Sequence, residues 1–322
     1  MPDDGNRSIM KNRLEMKKYI RNLPLLLASM AVAPSHAQLN IIASKPEMKE
    51  YSVQNALPYD SLTNVSERNC TSLPGEILFM HGAPNATYGY VETFYTENPL
   101  EVSNAEKYKG GQGNTPADAV TGKYFEVEKT FTKPYGKILM YALLLREQES
   151  GDKIYYKSTI YPRAMTCMGY YEKLKSRYIG KTFLSLGMRV ETMDGSIVTP
   201  DVASEYRCMD VGLEMNSDGA ILILENEAGE RIKATPVDDQ VYEFITTTHL
   251  EDVVKRHGNK YGKQIAFRQV SVGMTPEMVL EAWGEPYRKS TSKTTDKTVD
   301  YWSFDRNRRV TFEDGKVAYV GE

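Results

Sequence analysis

Residues 272–286 read VGMTPEMVLEAWGEP, a stretch that holds a helix start, an apolar face and a helix stop. Thr275 is placed to cap the first unpaired N–H groups, and Pro276 suits the first helical position, where its missing N–H loses no hydrogen bond. The apolar residues at positions 278, 279, 282 and 283 share one helical face. Gly284 favours the left-handed conformation that ends a helix. We predict a short helix whose Trp283 packs into a core and is not a ligand platform.

The chain around this helix predicts an α+β module over residues 248–322. A capping box formed by Thr248 and Glu251 starts an earlier helix, and Gly258 ends it. After the second helix, a polar loop at 289–298 precedes three strands of alternating polarity, the last two joined by an Asp-Gly turn. The predicted order of elements is therefore α-α-β-β-β.

This module resembles the SmpA/OmlA (BamE-like) family, in the form found at the C-terminus of exported Bacteroides-type proteins of unassigned function. The resemblance covers about a quarter of the chain and implies a non-catalytic protein-contact domain of the cell envelope. The chain departs from the outer-membrane lipoproteins of that family because it lacks a cysteine for lipidation directly after the predicted cleavage site, where Gln38 stands. BamE-like folds are also similar to a proteinaceous β-lactamase inhibitor, so enzyme inhibition is a further implied function, although no residue points to a target. The matching residues are Gly273, Met274, Thr275, Met278, Trp283, Gly284, Pro286, Trp302, Phe312, Asp314, Gly315 and Val317.

Residues 1–37 have the pattern of an export signal. Lys17, Lys18 and Arg21 precede an apolar run of eleven residues, 23–33, and a Ser-His-Ala cleavage site follows. Eleven residues are too few for a transmembrane helix, which needs roughly 20. We expect export to the periplasm or exterior of a Gram-negative bacterium, with no transmembrane segment after cleavage.

The composition of the remaining chain argues against a nucleic-acid partner. These 285 residues include 34 basic and 40 acidic ones, a net charge of about −6, whereas phosphate binding needs a concentrated positive face. The three cysteines, Cys70, Cys167 and Cys208, are an odd number, so at least one thiol is unpaired. We expect Cys208 to be a small core residue of a strand. No ligand spacing predicts a metal site, and we expect no cofactor and no catalytic residue.

An internal repeat occupies the middle of the chain, after a polar lead-in segment at 38–72 that is expected to be ordered only in part. Segments 73–165 and 166–240 share four sequence blocks in one order, with Gly75 aligned to Gly180. Short strand-like runs between turn residues predict a five-stranded, SH3-like barrel for each copy, with an OB-like barrel as the alternative. In the second copy the runs lie at 181–186, 188–193, 206–215, 220–225 and 231–236.

An insertion at 96–122 distinguishes the first copy from the second. Its glycine cluster lacks the lysine and the following helix of a phosphate-binding loop, so we expect a flexible surface segment. Beyond it, the alignment of the two copies matches Tyr124 with Tyr206.

Tyrosines are dense where the two copies join, with eight of the chain's 22 between positions 135 and 178. A tyrosine combines a large apolar ring with a polar tip, which suits a seam between two packed barrels and equally suits a groove for a peptide or glycan. Pockets favour such boundaries between domains. The predicted ligand- or partner-binding residues are Tyr155, Tyr156, Tyr170 and Tyr171.

These features predict an exported, non-catalytic binding or scaffold protein of the bacterial cell envelope. Its partner would be an envelope protein or a peptide or glycan ligand. The alternative is an exported hydrolase acting on cell-wall or dietary glycan, which would need two carboxyl groups facing each other in a cleft.

Overall fold

The computed structural model describes residues 47–82, 90–91, 94–110, 114–158, 165–215, 217, 219–237 and 240–321. The predicted signal peptide lies outside these residues. Pro46–Glu322 forms one compact unit. The chain is mainly β, with 41% strand and 18% helix, and contains a curled half-barrel sheet and a few helices. No described helix has the length and apolar character needed to cross a membrane.

Nine described strands lie between positions 49 and 167, in the lead-in segment and the first repeat, and are β1 (Lys49–Ser52), β2 (Ile77–Met80), β3 (Tyr90–Val91), β4 (Phe94–Tyr95), β5 (Thr115–Pro116), β6 (Tyr124–Tyr135), β7 (Ile138–Glu147), β8 (Lys153–Ser158) and β9 (Met165–Cys167). Seven of them form one sheet in the order β4-β8-β7-β6-β2-β9, with β1 also paired to β6. The short strands β3 and β5 pair with each other. Helix α1 (Met168–Tyr178) follows β9 directly.

Nine further described strands lie between positions 182 and 246, in the second repeat and the residues directly after it, and are β10 (Thr182–Ser185), β11 (Val190–Thr192), β12 (Ile197–Val198), β13 (Glu205–Leu213), β14 (Ala220–Glu225), β15 (Arg231–Ala234), β16 (Pro236–Val237), β17 (Gln240–Val241) and β18 (Phe244–Thr246). Seven of them form a sheet in the order β12-β11-β15-β14-β13-β10-β18, and β16 pairs with β17. Each main sheet thus has seven strands instead of the predicted five, because edge strands without an alternating pattern extend it.

The two sheets share one strand order. The path β4-β8-β7-β6-β2-β9 recurs, position by position, as β11-β15-β14-β13-β10-β18. Gly75 and Gly180 occupy the same point, each with a positive φ, and their N–H groups donate to Val127 O and Cys208 O, both at 2.8 Å. The long strands β6 and β13 bulge directly after these two acceptor residues. An internal duplication requires this correspondence.

The pairing register corrects the predicted alignment by one residue. Three residues after the matched glycines, Leu78 pairs with Phe125 and Phe183 pairs with Tyr206. Phe125 is therefore the counterpart of Tyr206, and the predicted match of Tyr124 with Tyr206 is wrong. In a strand, one residue of slip moves a side chain to the opposite face, and Phe125 is the buried neighbour.

The lead-in segment and the insertion are better ordered than predicted. Within 47–72, β1 joins the first sheet, and Cys70 is fully buried. In the described part of the insertion 96–122, Leu100, Thr115 and Val120 are buried. Residues 111–113, which include two glycines of the cluster, lie outside the described residues. Both segments bury single residues at irregular spacing, so neither showed the periodicity from which packing is inferred.

The C-terminal module contains α2 (Thr247–Ala266), α3 (Pro276–Trp283), β19 (Arg288–Lys293), β20 (Thr298–Ser303), β21 (Arg309–Glu313) and β22 (Lys316–Gly321). Its four strands pair in chain order. The predicted loop 289–298 is wrong, because its first five residues belong to the fully exposed strand β19, which has no apolar alternation to mark it. The predicted Asp-Gly turn is confirmed by the positive φ of Asp314 and Gly315.

The two helices start and stop largely as their caps predict. In α3, Thr275 accepts a hydrogen bond from Met278 N and Gly284 closes the helix at φ 78°, so both predicted ends are confirmed. Helix α2 is capped by Thr246 instead of the predicted Thr248. Gly258 is non-helical, with φ 76° and ψ 166°, so α2 consists of two helical segments that meet at a kink, and the predicted end of the first segment at Gly258 is confirmed.

The two repeats share one hydrophobic core. A single cluster of buried side chains includes residues of both repeats, such as Leu78 and Leu222, and extends from Val65 in the lead-in segment to Phe244 just after the second repeat. The C-terminal module has its own cluster, which Leu184 and Ile245 of the second sheet join. At the contact between repeats, buried His81 lies 2.5 Å from Glu214 O and 2.7 Å from Thr166 Oγ1. The described helices and strands between residues 47 and 321 therefore belong to one compact unit.

Candidate functional site

Two surface depressions stand out among the described residues. The first, about 650 Å³, belongs to the C-terminal module, and the second, about 730 Å³, belongs to the second repeat. We call them the arginine cleft and the repeat groove. The arginine cleft is lined by Arg268, Trp283, Asp305, Arg306, Asn307 and Arg308.

Trp283 forms the aromatic wall of the arginine cleft. It is the last residue of α3, and its ring packs edge-on against Phe304, with centroids 5.2 Å apart. Its indole Nε1–H donates to Arg268 O at 2.9 Å. The Arg308 guanidinium lies 5.2 Å from the ring centroid, within cation–π range. The indole is thus held on three sides by the module and presents its remaining surface to the cleft.

Arg268 occupies a backbone position that usually belongs to glycine. It follows the C-cap of α2 with φ 55°, while its N–H donates to Ile265 O at 2.9 Å and Gln269 N donates to Gln264 O at 2.7 Å. This is the paired hydrogen bonding of a Schellman-type helix end, where a side chain costs about 1 kcal/mol relative to glycine. Strain of this kind persists where the side chain is used, and this side chain lines the cleft.

Asp305 organises the opposite wall, the turn between β20 and β21. Its carboxylate accepts the N–H groups of Asn307 at 2.9 Å and Arg308 at 2.7 Å, and the Arg308 Nε–H at 2.6 Å. These hydrogen bonds, led by the one from Arg308 N, lower the pKa of Asp305 to about 2. The carboxylate is therefore ionised at neutral pH and fixes Arg308 beside Trp283.

The charge of the arginine cleft is strongly positive. Three guanidinium groups and one carboxylate give it a net charge of +2, although the whole chain is acidic. Arg308 is paired with Asp305. The ion pairs of the described part of the module include neither Arg268 nor Arg306. Two arginines without an ion pair among the described residues thus line one concavity together with an aromatic ring, a set of groups suited to carboxylate or phosphate oxygens.

The repeat groove has the opposite charge. Asp194, Asp201 and Glu230 line it, and its basic residue, Arg231, is paired with Glu225 at 2.6 Å. Its other lining groups are mostly hydroxyls and short apolar side chains, namely Thr192, Met193, Ser196, Val198, Thr199, Pro200, Ser204, Tyr206, Asn226, Gly229 and Ile232.

Each depression contains one carboxyl group whose pKa is lowered. Hydrogen bonds from the Thr192 hydroxyl and from Ser196 lower the pKa of Asp194, and the pKa of Asp305 is also lowered. A glycosidase needs one carboxylic acid whose pKa is raised so that it donates a proton. No observation at these two sites therefore favours the hydrolase alternative.

The chain has no detectable similarity to a known protein from which a function could be inferred. No protein-family model, curated protein or solved structure matches the chain. Among the described residues, no group of three or more His, Cys, Asp or Glu side chains is placed to hold a metal ion.

The four predicted binding tyrosines do not form one groove. Tyr155 and Tyr156 are neighbours on β8 and point to opposite faces, because side chains alternate along a strand. Tyr156 and Tyr170 are buried in the shared core, and Tyr171 packs partly buried against it with its hydroxyl donating to Val211 O at 3.0 Å. Tyr155 packs against a separate cluster with Phe131. The interpretation as a seam between the repeats fits Tyr156, Tyr170 and Tyr171. The prediction that residues 155, 156, 170 and 171 line one groove is therefore corrected.

Trp283 is also less buried than predicted. It is half-buried, with one side against the core of the module and the other in the arginine cleft. Helical periodicity identified the correct face, but the position at the end of α3 leaves the ring at the rim of the core. The prediction that Trp283 is not a ligand platform is replaced by the proposal below.

The arginines of the cleft were not predicted from the sequence as binding residues. Arg268, Arg306 and Arg308 come from two turns about 40 residues apart, and no motif joins them. The signals that were available are the basic residue beside a helix end and the Asp-Arg-Asn-Arg turn at 305–308. Neither indicates a site until α3 places Trp283 between them.

The three thiols are not part of either depression. Cys70, Cys167 and Cys208 are buried and unpaired with one another, and burial raises the pKa of each thiol to about 11. Cys208 lies in β13, so its predicted place as a core residue of a strand is confirmed.

Proposed function

We propose that the chain is an exported, non-catalytic binding protein of the bacterial cell envelope, and that its C-terminal module holds an anionic group of its partner in the arginine cleft. The single observation that carries the proposal is the pair of unpaired guanidinium groups, Arg268 and Arg306, beside a fixed Trp283. Export is supported by the signal-like pattern of residues 1–37.

The chemistry of the cleft favours an oxyanion on a planar or sugar-like scaffold. Guanidinium groups bind carboxylates and phosphates with two parallel hydrogen bonds, and an indole face packs against sugar rings and other flat groups. Acidic peptides and glycans that contain uronic acids both present such carboxylates. We also propose that the module has BamE-like architecture and that the two main sheets are enlarged SH3-like half-barrels, on the strength of the order of their elements.

The test uses the tryptophan fluorescence of the full chain without residues 1–37. Tetragalacturonate and a hexaglutamate peptide are titrated as carboxylate probes, with maltotetraose and a hexaglutamine peptide as their neutral counterparts. We expect saturable binding of at least one carboxylate probe, weakened by added salt, and no binding of the neutral ones.

The variant that removes the site is Arg268→Gln combined with Arg306→Gln, and its matched control is Arg309→Gln, an exposed arginine on β21 outside the cleft. We expect at least a tenfold loss of affinity in the double variant and none in the control. Equal losses in both, or no saturable binding of either carboxylate probe, would contradict the proposal. Cleavage of a glycan probe would instead favour the hydrolase alternative.

Export has a test of its own. Expression of the full chain in a Gram-negative host should yield a periplasmic or secreted product whose first residue is Gln38. A cytoplasmic product that retains Met1 or another early residue would contradict export and leave the arginine cleft untouched.

A further inference from the structure

The two repeats differ at one equivalent position in a way that identifies what the repeat groove accepts. The register of β7 with β8 pairs Leu145 with Ile154, and that of β14 with β15 pairs Leu224 with Ile232. Counting back two residues from the matched isoleucines makes Asp152 the counterpart of Glu230. Both acids stand at the end of a glycine turn, after Gly151 and Gly229, whose φ values are 75° and 80°.

In the first repeat, a tyrosine of the chain itself fills this place. Lys107 bridges to Tyr95 of β4, and the next residue, Tyr108, donates its N–H to Phe94 O at 2.9 Å. The Tyr108 ring is only 8% exposed and belongs to the shared core. Its hydroxyl donates to the Asp152 carboxylate at 2.6 Å.

In the second repeat, no ring stands at the position equivalent to Tyr108, although the buried Tyr206 lines the same groove. Glu191 pairs with Ile197 and Val190 pairs with Val198, so Val198 stands where Tyr108 stands in the first repeat. Val198 is 37% exposed. It and Glu230 both line the repeat groove.

The Glu230 carboxylate keeps capacity for a further donor. One oxygen accepts from Asn226 Nδ2 at 2.7 Å, and a carboxylate has about four acceptor positions in all. The neighbouring Arg231 is held by Glu225 and does not neutralise it. The acidic lining of the groove also favours a cationic neighbour beside the incoming ring.

We propose that the repeat groove binds a tyrosine side chain of a partner protein, with basic residues next to that tyrosine. The ring would pack on Val198, and its hydroxyl would donate to the Glu230 carboxylate, as Tyr108 does to Asp152. The first repeat also supplies the flanking charge, because Tyr108 lies between Lys107 and Lys109. The groove uses no residue of the arginine cleft, so either site can fail without the other.

The probe is the peptide acetyl-Lys-Tyr-Lys-amide, which copies residues 107–109, titrated into the isotope-labelled full chain without residues 1–37 and followed by NMR. We expect saturable shifts confined to 192–206 and 226–232. Acetyl-Lys-Phe-Lys-amide, which lacks the hydroxyl, should bind at least fivefold more weakly, and acetyl-Glu-Tyr-Glu-amide should bind more weakly still.

Two variants decide the matter. Val198→Tyr should fill the groove with its own ring, as in the first repeat, and abolish peptide binding. Glu230→Gln should remove the preference for tyrosine over phenylalanine. This second variant introduces no new ring, so it does not depend on repacking of the groove. Equal binding of the two Lys-flanked peptides to the wild-type chain, or unchanged binding to a folded Val198→Tyr variant, would overturn the proposal. A wild-type dimer that Val198→Tyr converts to a monomer would also overturn it, because the occupant would then be a second copy of this chain.

Discussion

The Tyr108–Asp152 contact in the first repeat should be measurable as stability. Tyr108→Phe keeps the buried ring and removes one hydrogen bond to a charged acceptor, an interaction that contributes roughly 1.5–3 kcal/mol when buried. Asp152 is half-buried and regains water in the variant, so we expect a loss of about 1 kcal/mol. Tyr108→Val also removes the ring from the core and should cost about 3 kcal/mol.

Urea unfolding followed by far-ultraviolet circular dichroism measures both values, with Tyr319→Phe as the control because Tyr319 is 62% exposed. Burial, and then the Asp152 carboxylate, raise the pKa of Tyr108. The associated stability is therefore complete below the ordinary tyrosine pKa of about 10 and is lost as pH rises through the folded-state pKa. Wild type should lose stability above about pH 10 more steeply than Tyr108→Phe. If the Tyr108→Phe variant is as stable as wild type at pH 7, the hydrogen bond from Tyr108 to Asp152 does not hold the tyrosine in its place, and this reasoning is refuted.

Three further outcomes are expected. Phe312→Ala should cost about 3–5 kcal/mol in urea unfolding, because Phe312 is fully buried in the module core, whereas Tyr319→Ala on the same sheet should cost under about 0.5 kcal/mol. Carbon-detected NMR titration should give Asp305 an inflection near pH 2 that moves towards its ordinary range in Arg308→Ala, so that the stability it supplies is present above about pH 4 and lost as pH falls through 2. The three thiols should react with Ellman's reagent slowly in the native chain at pH 8 and fully in denaturant, and rapid native labelling would contradict their burial.

The parts of the fold that local chemistry determines could be predicted from the sequence. The five strand-like runs of the second copy correspond to β10, β11, β13, β14 and β15. The ends of α3 followed from Thr275 and Gly284, because a cap acts through neighbouring backbone groups. The glycines at 75 and 180 aligned the repeats because both need a positive φ.

The parts that depend on a distant partner could not be predicted. Strand β19 is polar and exposed throughout, so only its pairing with β20 makes it a strand. The insertion buries Tyr108 through contacts with β4 and Asp152, which lie 14 and 44 residues away along the chain. The arginine cleft joins residues of two turns through Trp283, and the repeat groove became visible only when the copies were compared in register.

The shared core of the two repeats has a consequence for how the chain unfolds and how it could evolve. Because Val65 and Phe244 belong to one cluster, cutting the chain between the repeats would expose apolar surface on both pieces. Residues 47–321 should therefore melt in a single cooperative transition, and neither repeat should survive alone as a soluble fragment. Two copies joined in this way would have to change together at the seam, whereas positions at the far ends of the sheets could differ, as Tyr108 and Val198 do.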